Sequence, residues 1–305
     1  MSHDFAYHGK AFDLATLMLK NIVLTVLTLG VYRSWAKTDV RRYIARRVEF
    51  MGQHLDYHGT GGELLKGFLI ALAINGAFLG LSEALSRYFG EGWTWMLAFI
   101  PLLSVMICYT VWTSRRYLLT RLSWGGIRFG MEGNQHAFAL KLSVLSMLAL
   151  FPLVTPFVAF WERKTLTEST RFGTTSFRYT GDLKACVRRT YGAFLLLPFS
   201  LGLSLVWLWL ENRRYDAACT WLGGVNFRFE LSTWEAFKML VGGPLAIVAS
   251  FGLATPWVMS WSLGTYLGAL RANGQPNFTQ IQALEFKAGS VGEGLAGILD
   301  VGVAF

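Results

Sequence analysis

The chain has 305 residues, of which 53% are hydrophobic and only 15% charged, whereas an ordinary soluble domain is about a quarter charged. Four runs (92–114, 142–161, 190–210 and 239–270) contain no Asp, Glu, Lys or Arg, and each meets the criterion of roughly 18 apolar residues for crossing a bilayer. Composition therefore excludes a soluble enzyme and points to one membrane-embedded unit. The net charge of +9 would suit nucleic acid, but its placement does not. Arg33 to Arg47 holds six basic residues against one acidic one beside an apolar run, which is how chains meet anionic headgroups. Membrane lipid is the expected partner and nucleic acid is not; no protein partner is indicated. Cys108, Cys186 and Cys219 form no CxxC pair, so neither a disulfide scaffold nor a thiolate metal site is implied, and no cofactor is expected.

In chain order, a polar start with a Phe5-Ala6-Tyr7-His8-Gly9 alternation precedes a first span near 14–31. No small-residue cleavage site follows it, so this span is expected to be retained. It ends at Thr28-Leu29-Gly30 and gives way to a charged interfacial helix carrying Arg41-Arg42-Tyr43. A strand at Leu55-Asp56-Tyr57-His58-Gly59 leads to Thr60-Gly61-Gly62-Glu63, an S/T-x-x-E helix start. Spans near 64–86 and 93–114 follow, joined at Gly90-Glu91-Gly92. Arg115-Arg116-Tyr117, a strand at Ile127-Arg128-Phe129-Gly130 and a span near 137–160 broken at Thr155-Pro156 come next. The strand Phe177 to Gly181, a span near 187–210, Arg213-Arg214-Tyr215, the strand Phe227-Arg228-Phe229, a second cap Ser232-Thr233-Trp234-Glu235 and a span near 237–263 complete the series.

The strand aromatics fall at 7, 57, 129, 179 and 229, in steps of 50, 72, 50 and 50, and a fixed period of this size marks repeated units. The excess of 22 equals one extra span. The expected fold is therefore a mainly α polytopic membrane protein, a single domain over 1–305. It has about six transmembrane helices in five related units (1–58, 59–130, 131–180, 181–230 and 231–305) with short interfacial strands.

Leu27-Thr28-Leu29-Gly30-Val31-Tyr32 with Trp35-Ala36-Lys37, then Arg41-Arg42-Tyr43, then Tyr57-His58-Gly59-Thr60-Gly61 with Glu63 to Phe68 resemble the YjgN family of bacterial inner-membrane proteins. The tail Val291 to Ala296 with Leu299-Asp300 is similar to that family's C-terminal end. The resemblance covers essentially the whole chain and implies a multi-pass inner-membrane location. It brings no reaction, substrate or catalytic residue.

Simple alternation of six spans would place 33–63, 115–136 and 211–234 on one membrane face and 161–186 on the other, and this is the expected topology. It leaves the basic stretch 163–189 on the wrong side of the positive-inside rule. A rival arrangement keeps all strands on one face in a single sheet and makes the single apolar segments re-entrant. That is tolerated only where the backbone is buried in protein or lines water.

Three groups of residues are candidate sites. Arg41, Arg42, Tyr43, Arg115, Arg116, Tyr117, Arg213, Arg214 and Tyr215 pair planar phosphate-binding forks with interfacial Tyr, fitting lipid headgroups as well as generic anchoring. His54, Asp56 and His58 alternate on one strand face and have metal-ligating chemistry, although a solvated strand face explains them too. Gly59 to Gly62 resembles a phosphate-cradling loop, against which Glu63 and the helix-cap reading both stand. With few titratable groups inside the spans and several interrupted helices, the sequence favours binding or moving a lipid-like or apolar molecule. A non-transporting scaffold is the alternative and a membrane metalloenzyme the third.

Overall fold

A computed structural model describes residues 2–89, 94–148 and 153–274; the Gly90-Glu91-Gly92 turn, Pro152 and the 291–300 tail lie outside them. Ten strands close into an antiparallel barrel: β1 Ser2–Tyr7, β2 Val48–Phe50, β3 Gln53–Tyr57, β4 Leu122–Trp124, β5 Ile127–Met131, β6 Thr170–Phe172, β7 Thr175–Tyr179, β8 Thr220–Leu222, β9 Val225–Phe229 and β10 Leu270–Asn273. Each strand pairs with its neighbours in the chain, and β1 seals the ring against β10 with His3 opposite Ala272 and Asp4 opposite Arg271.

Two kinds of connection alternate around the ring. Two-residue turns join β2 to β3, β4 to β5, β6 to β7 and β8 to β9. Both turn residues have positive φ at Met51-Gly52, Gly125-Gly126 and Gly223-Gly224, the conformation that matches the twist of an antiparallel pair. The other connections are helical hairpins: α1 Ala11–Leu27 with α2 Arg33–Ala45, α3 Gly61–Phe89 with α4 Thr94–Arg121, α5 Gln135–Leu148 with α6 Thr155–Ser169, and α7 Leu183–Leu196 with α8 Leu203–Cys219. The fifth comprises α9 Thr233–Phe237, a π-turn Lys238–Gly242, α10 Gly243–Ala249 and α11 Thr255–Gly268. In an antiparallel ring these connections must sit at opposite ends. All five hairpins therefore stand on one rim and all the tight turns on the other.

Period-two alternation fills the barrel. Phe50, Trp124, Phe172, Val225 and Ala272 are buried inside it, with Phe5, Leu55, Ile127, Phe129, Phe177, Leu222 and Phe227 packed against them. Ring centroids lie 4.2 Å apart for Phe5 and Phe50 and 4.8 Å for Phe129 and Phe172. The intervening residues face outward and are mostly charged or polar, with Trp221 an exposed exception. Arg271 pairs with Asp4, Arg171 with Glu132 at 2.8 Å, and His8 with Glu49 at 2.8 Å. At the hairpin rim the strand aromatics Tyr7, Tyr57 and Tyr179 fold back over the chain. A Cβ at Gly9, Gly59 or Gly181 would strike the corresponding tyrosine ring, so Tyr-x-Gly is a packing requirement at this corner.

The expected six-span polytopic bundle is overturned by this barrel. Among the described residues one helix, α3, is long and apolar enough to cross a membrane. The segments 187–210 and 237–263 are not single helices, because each reverses near its middle, at 197–202 and 250–254; the segment 137–160 is likewise divided between α5 and α6, and the first span ends as α1 at Leu27 after 17 residues. An uncharged run of about 20 residues has the composition of one crossing helix or of two half-length helices back to back, and only the turn between them separates the cases. Alternating topology falls with the bundle, since hydrogen-bonded strands of one barrel share one face.

Alignment on the strands also changes the phase. The residue matching Tyr57 and Tyr179 in the third segment is Met131, two places after Phe129, and Gly133 takes the place of Gly59. Here the space over the glycine is filled by Trp112 of α4.

Candidate membrane interface

The apolar runs put their most exposed side chains at the hairpin tips. Leu29, Leu201 and Phe251 are 95%, 94% and 97% exposed, and each is a left-handed residue followed by a left-handed glycine: Gly30 (φ 92°), Gly202 (φ 91°) and Gly252 (φ 88°). Each is also preceded by a hydroxyl residue, giving Thr28-Leu29-Gly30, Ser200-Leu201-Gly202 and Ser250-Phe251-Gly252.

This triplet closes the backbone on itself. The Gly30 amide donates to the Thr25 carbonyl at 2.7 Å and the Gly252 amide to that of Ile247 at 2.8 Å. The hydroxyl then caps the returning helix. Thr28 Oγ1 accepts from the Tyr32 amide at 2.9 Å, Ser200 Oγ from Ser204 at 3.1 Å and Ser250 Oγ from Ala254 at 2.9 Å. Hydrocarbon charges several kcal/mol for each unpaired amide, and the motif lets a chain reverse there without that penalty. Ten residues of helix on either side of the 200–202 apex reach about 15 Å, roughly half of a ~30 Å hydrocarbon core.

The α3–α4 hairpin is the exception. Its first helix has 29 residues, about 43 Å of rise, and the stretch from Gly61 to Tyr88 has mean hydropathy 1.9 in its most apolar part. The helices run antiparallel, with Tyr117 donating to Glu63 at 3.2 Å near the rim and the Phe78 and Phe99 rings 4.4 Å apart farther out. At the far end Glu83 and Arg87 pair at 2.9 Å.

Trp35, Trp207, Trp257 and Trp261 are exposed on the hairpins, while Trp112 and Tyr117 are buried. The Arg-Arg-Tyr triplets divide their work. The second arginine donates to the chain just past the next long strand, Arg42 to the Gly59 carbonyl at 3.2 Å and Arg214 to that of Leu231 at 2.6 Å; Arg116 also has a partner within the fold. The tyrosine ties its helix to a neighbouring helix start. Tyr43 donates to the Lys10 carbonyl at 2.8 Å, Tyr117 to Glu63, and Tyr215 accepts from the Asp182 amide at 2.7 Å. Guanidinium groups stack on two of these rings, Arg47 3.5 Å from Tyr43 and Arg189 3.7 Å from Tyr215. Of the first arginines, Arg41 is buried and Arg213 lies 5.7 Å over the Trp209 ring.

Two charged clusters at the rim were not anticipated. Glu63 takes a bidentate pair from Arg121 at 3.0 and 3.1 Å besides the Tyr117 hydroxyl. Asp216 takes Arg163 at 3.0 and 3.3 Å and the Tyr179 hydroxyl at 2.9 Å. Burial and the Asp216 charge both push the Tyr179 phenol above its ordinary range. The available signal was positional, because counting back seven residues from Phe50, Trp124 and Leu222 gives the three triplet tyrosines, and the same count from Phe172 gives Arg163-Lys164-Thr165.

His54 and Asp56 do project outward while Leu55 and Tyr57 face inward. Their partners diverge: His54 lies against His8 at a 6.5 Å ring separation, Asp56 is 3.9 Å from Arg46, and His58 bonds Ser123 Oγ at 2.7 Å. Among the described residues no three His, Cys, Asp or Glu side chains form a group that could hold a metal. In the 59–62 loop, Thr60 Oγ1 accepts the Glu63 amide at 3.3 Å, a helix-cap geometry.

The family described as "Bacterial protein of unknown function (DUF898)" matches residues 2–206 and 190–280 of the chain. A Salmonella typhimurium protein named "Inner membrane protein YjgN" is 30% identical over 156 residues, covering 49% of this chain and 37% of its own length. The Escherichia coli K12 protein of the same name is 24% identical over 273 residues, covering 89% of this chain and 63% of its own. The chain thus spans less than two thirds of the length of these relatives. No solved structure matches it.

Proposed function

This chain belongs to the DUF898 family of bacterial proteins of unknown function, and from that premise we propose that it binds lipid, holding the acyl chains of one bilayer leaflet against its half-inserted hairpins. It is a protein of the bacterial inner membrane, the location named for its relatives. One observation carries the lipid-binding reading: the triplet apices expose Leu29, Leu201 and Phe251 almost completely, while the Leu29, Gly30, Phe251 and Gly252 amides are hydrogen-bonded within their turns. That combination suits hydrocarbon and is wasteful in water.

The barrel rests on the cytoplasmic surface. Arg87 is the one basic residue between positions 84 and 114, where the long hairpin emerges on the other side, whereas the barrel rim is rich in Arg and Lys. The aromatic filling of the barrel supports binding at the hairpins over passage along the barrel axis. A scaffold reading has one observation in its favour, the exposed Trp221 beside Arg178 on the outer wall.

Native mass spectrometry of the protein released from mild detergent tests the proposal. Bound phospholipid is expected on the wild type and is reduced when Leu201 and Phe251 are both replaced by Ser. Wild-type protein that carries no lipid contradicts it.

A further inference from the structure

We propose that Arg115, Arg163 and Arg213 form an axial site, between the hairpins where they meet the barrel, that takes a phosphate-type anion. The site is distinct from the lipid-facing hairpin surfaces, and its chemistry is shared by free phosphate and by a phospholipid headgroup.

Position in the fold is the first ground. Counting back nine residues from the inward residue of each short strand (Phe50, Trp124, Phe172, Leu222 and Ala272) gives Arg41, Arg115, Arg163, Arg213 and Leu263. Four of the five hairpins thus carry arginine at one level of the returning helix. Arg41 is buried and has a partner of its own.

Convergence is the second. Arg115 and Arg213 belong to hairpins that are not neighbours, since α5 and α6 stand between them. Arg115 nevertheless lies within electrostatic reach of both Glu162 and Arg213. Arg213 shares a helix face with Asp216, three residues on, and Asp216 meets Arg163 of α6 and Tyr179 of β7, which sets this face of α8 toward the barrel axis. Arg163 joins them from α6 through its 3.0 Å bridge to Asp216 of α8.

Charge is the third. Three guanidinium groups meet two carboxylates, Glu162 and Asp216. Asp216 is taken by Arg163 and Tyr179, which leaves Glu162 facing Arg115. Arg115 makes no hydrogen bond among the described residues. Like charges brought together repel, and Arg213 stays exposed, so an anion can reach the cluster. An anion with several oxygens relieves that repulsion and matches the planar forks of arginine.

Isothermal titration of the full chain in detergent, with inorganic phosphate and separately with short-chain phosphatidylglycerol, tests the site. Saturable binding of at least one ligand is expected. Arg115→Gln and Arg213→Gln should each weaken it about tenfold, as loss of a charge-assisted bond implies, and Arg115→Lys should retain most of it. Glu162→Gln should tighten binding, a gain that misfolding cannot mimic, and Arg228→Gln on the outer wall should leave it unchanged. Phosphate binding as tightly as the lipid identifies a free-anion site, and lipid binding alone identifies a headgroup site. The proposal is overturned if neither ligand binds, or if the Arg115 and Arg213 variants bind as the wild type does. The Leu201 and Phe251 serine variant should keep anion binding while losing acyl-chain lipid, which separates failure here from failure of the hairpin reading.

Discussion

Replacing Phe172 by Ala is expected to lower the stability of the folded chain by about 3–5 kcal/mol, the range for deleting a fully buried aromatic side chain. Phe172 is 1% exposed and sits among Phe129 at 4.8 Å and Trp124 at 5.8 Å. It comes from a strand of three residues whose ladder alone contributes little. Side chains on the outward face of the strands cannot reach the vacated space. Denaturant unfolding in detergent micelles measures the loss. A change below about 1 kcal/mol would mean that the aromatic filling does not hold the ring together.

Phe251→Arg should behave in the opposite way, with little effect in detergent and a large one in a bilayer. The side chain is 97% exposed, so folding contacts account for within about 0.5 kcal/mol, as for other surface changes. An arginine at mid-hydrocarbon depth costs roughly 2.5–3.5 kcal/mol on insertion scales. That is enough to lift the fifth hairpin toward the headgroups while α3 and α4 still hold the protein in the membrane. An environment-sensitive fluorophore at residue 253 reports this as a red shift in vesicles for the variant and none in detergent. Equal spectra in both settings would place the apex outside hydrocarbon.

Much of the local grammar was readable from sequence. Leu55 and Tyr57 face one way and His54 and Asp56 the other because a strand admits no other alternation. The Ser232–Glu235 capping box forms with both of its bonds, and Leu29-Gly30 breaks a helix where the residues suggested. The third segment was misphased because Met131 replaces the expected tyrosine, leaving Phe129 as the only aromatic in view. The apices at 200–202 and 250–252 were obscured by nearby prolines. Thr155-Pro156 reads as a break within a span, yet it begins α6, because proline is well accommodated in a first turn. Closure of the ring was beyond any local pattern, as β1 and β10 are more than 260 residues apart and short strands specify partners weakly. The axial arginines share their spacing with ordinary interfacial anchors, so their convergence emerges only once the hairpins are set around one axis.

The arrangement of five hairpins on one rim of a single barrel is tested most directly by sidedness. In a chain with Cys108, Cys186 and Cys219 replaced by Ala, single cysteines at Met51, Thr174 and Tyr88 are to be labelled with an impermeant maleimide on intact spheroplasts and on inverted vesicles. Residues 51 and 174 lie in tight turns at the far end of the barrel, and Tyr88 lies at the outer end of α3. The account predicts that 51 and 174 react only in inverted vesicles and 88 only in spheroplasts. Labelling of 51 and 174 from opposite faces would contradict it.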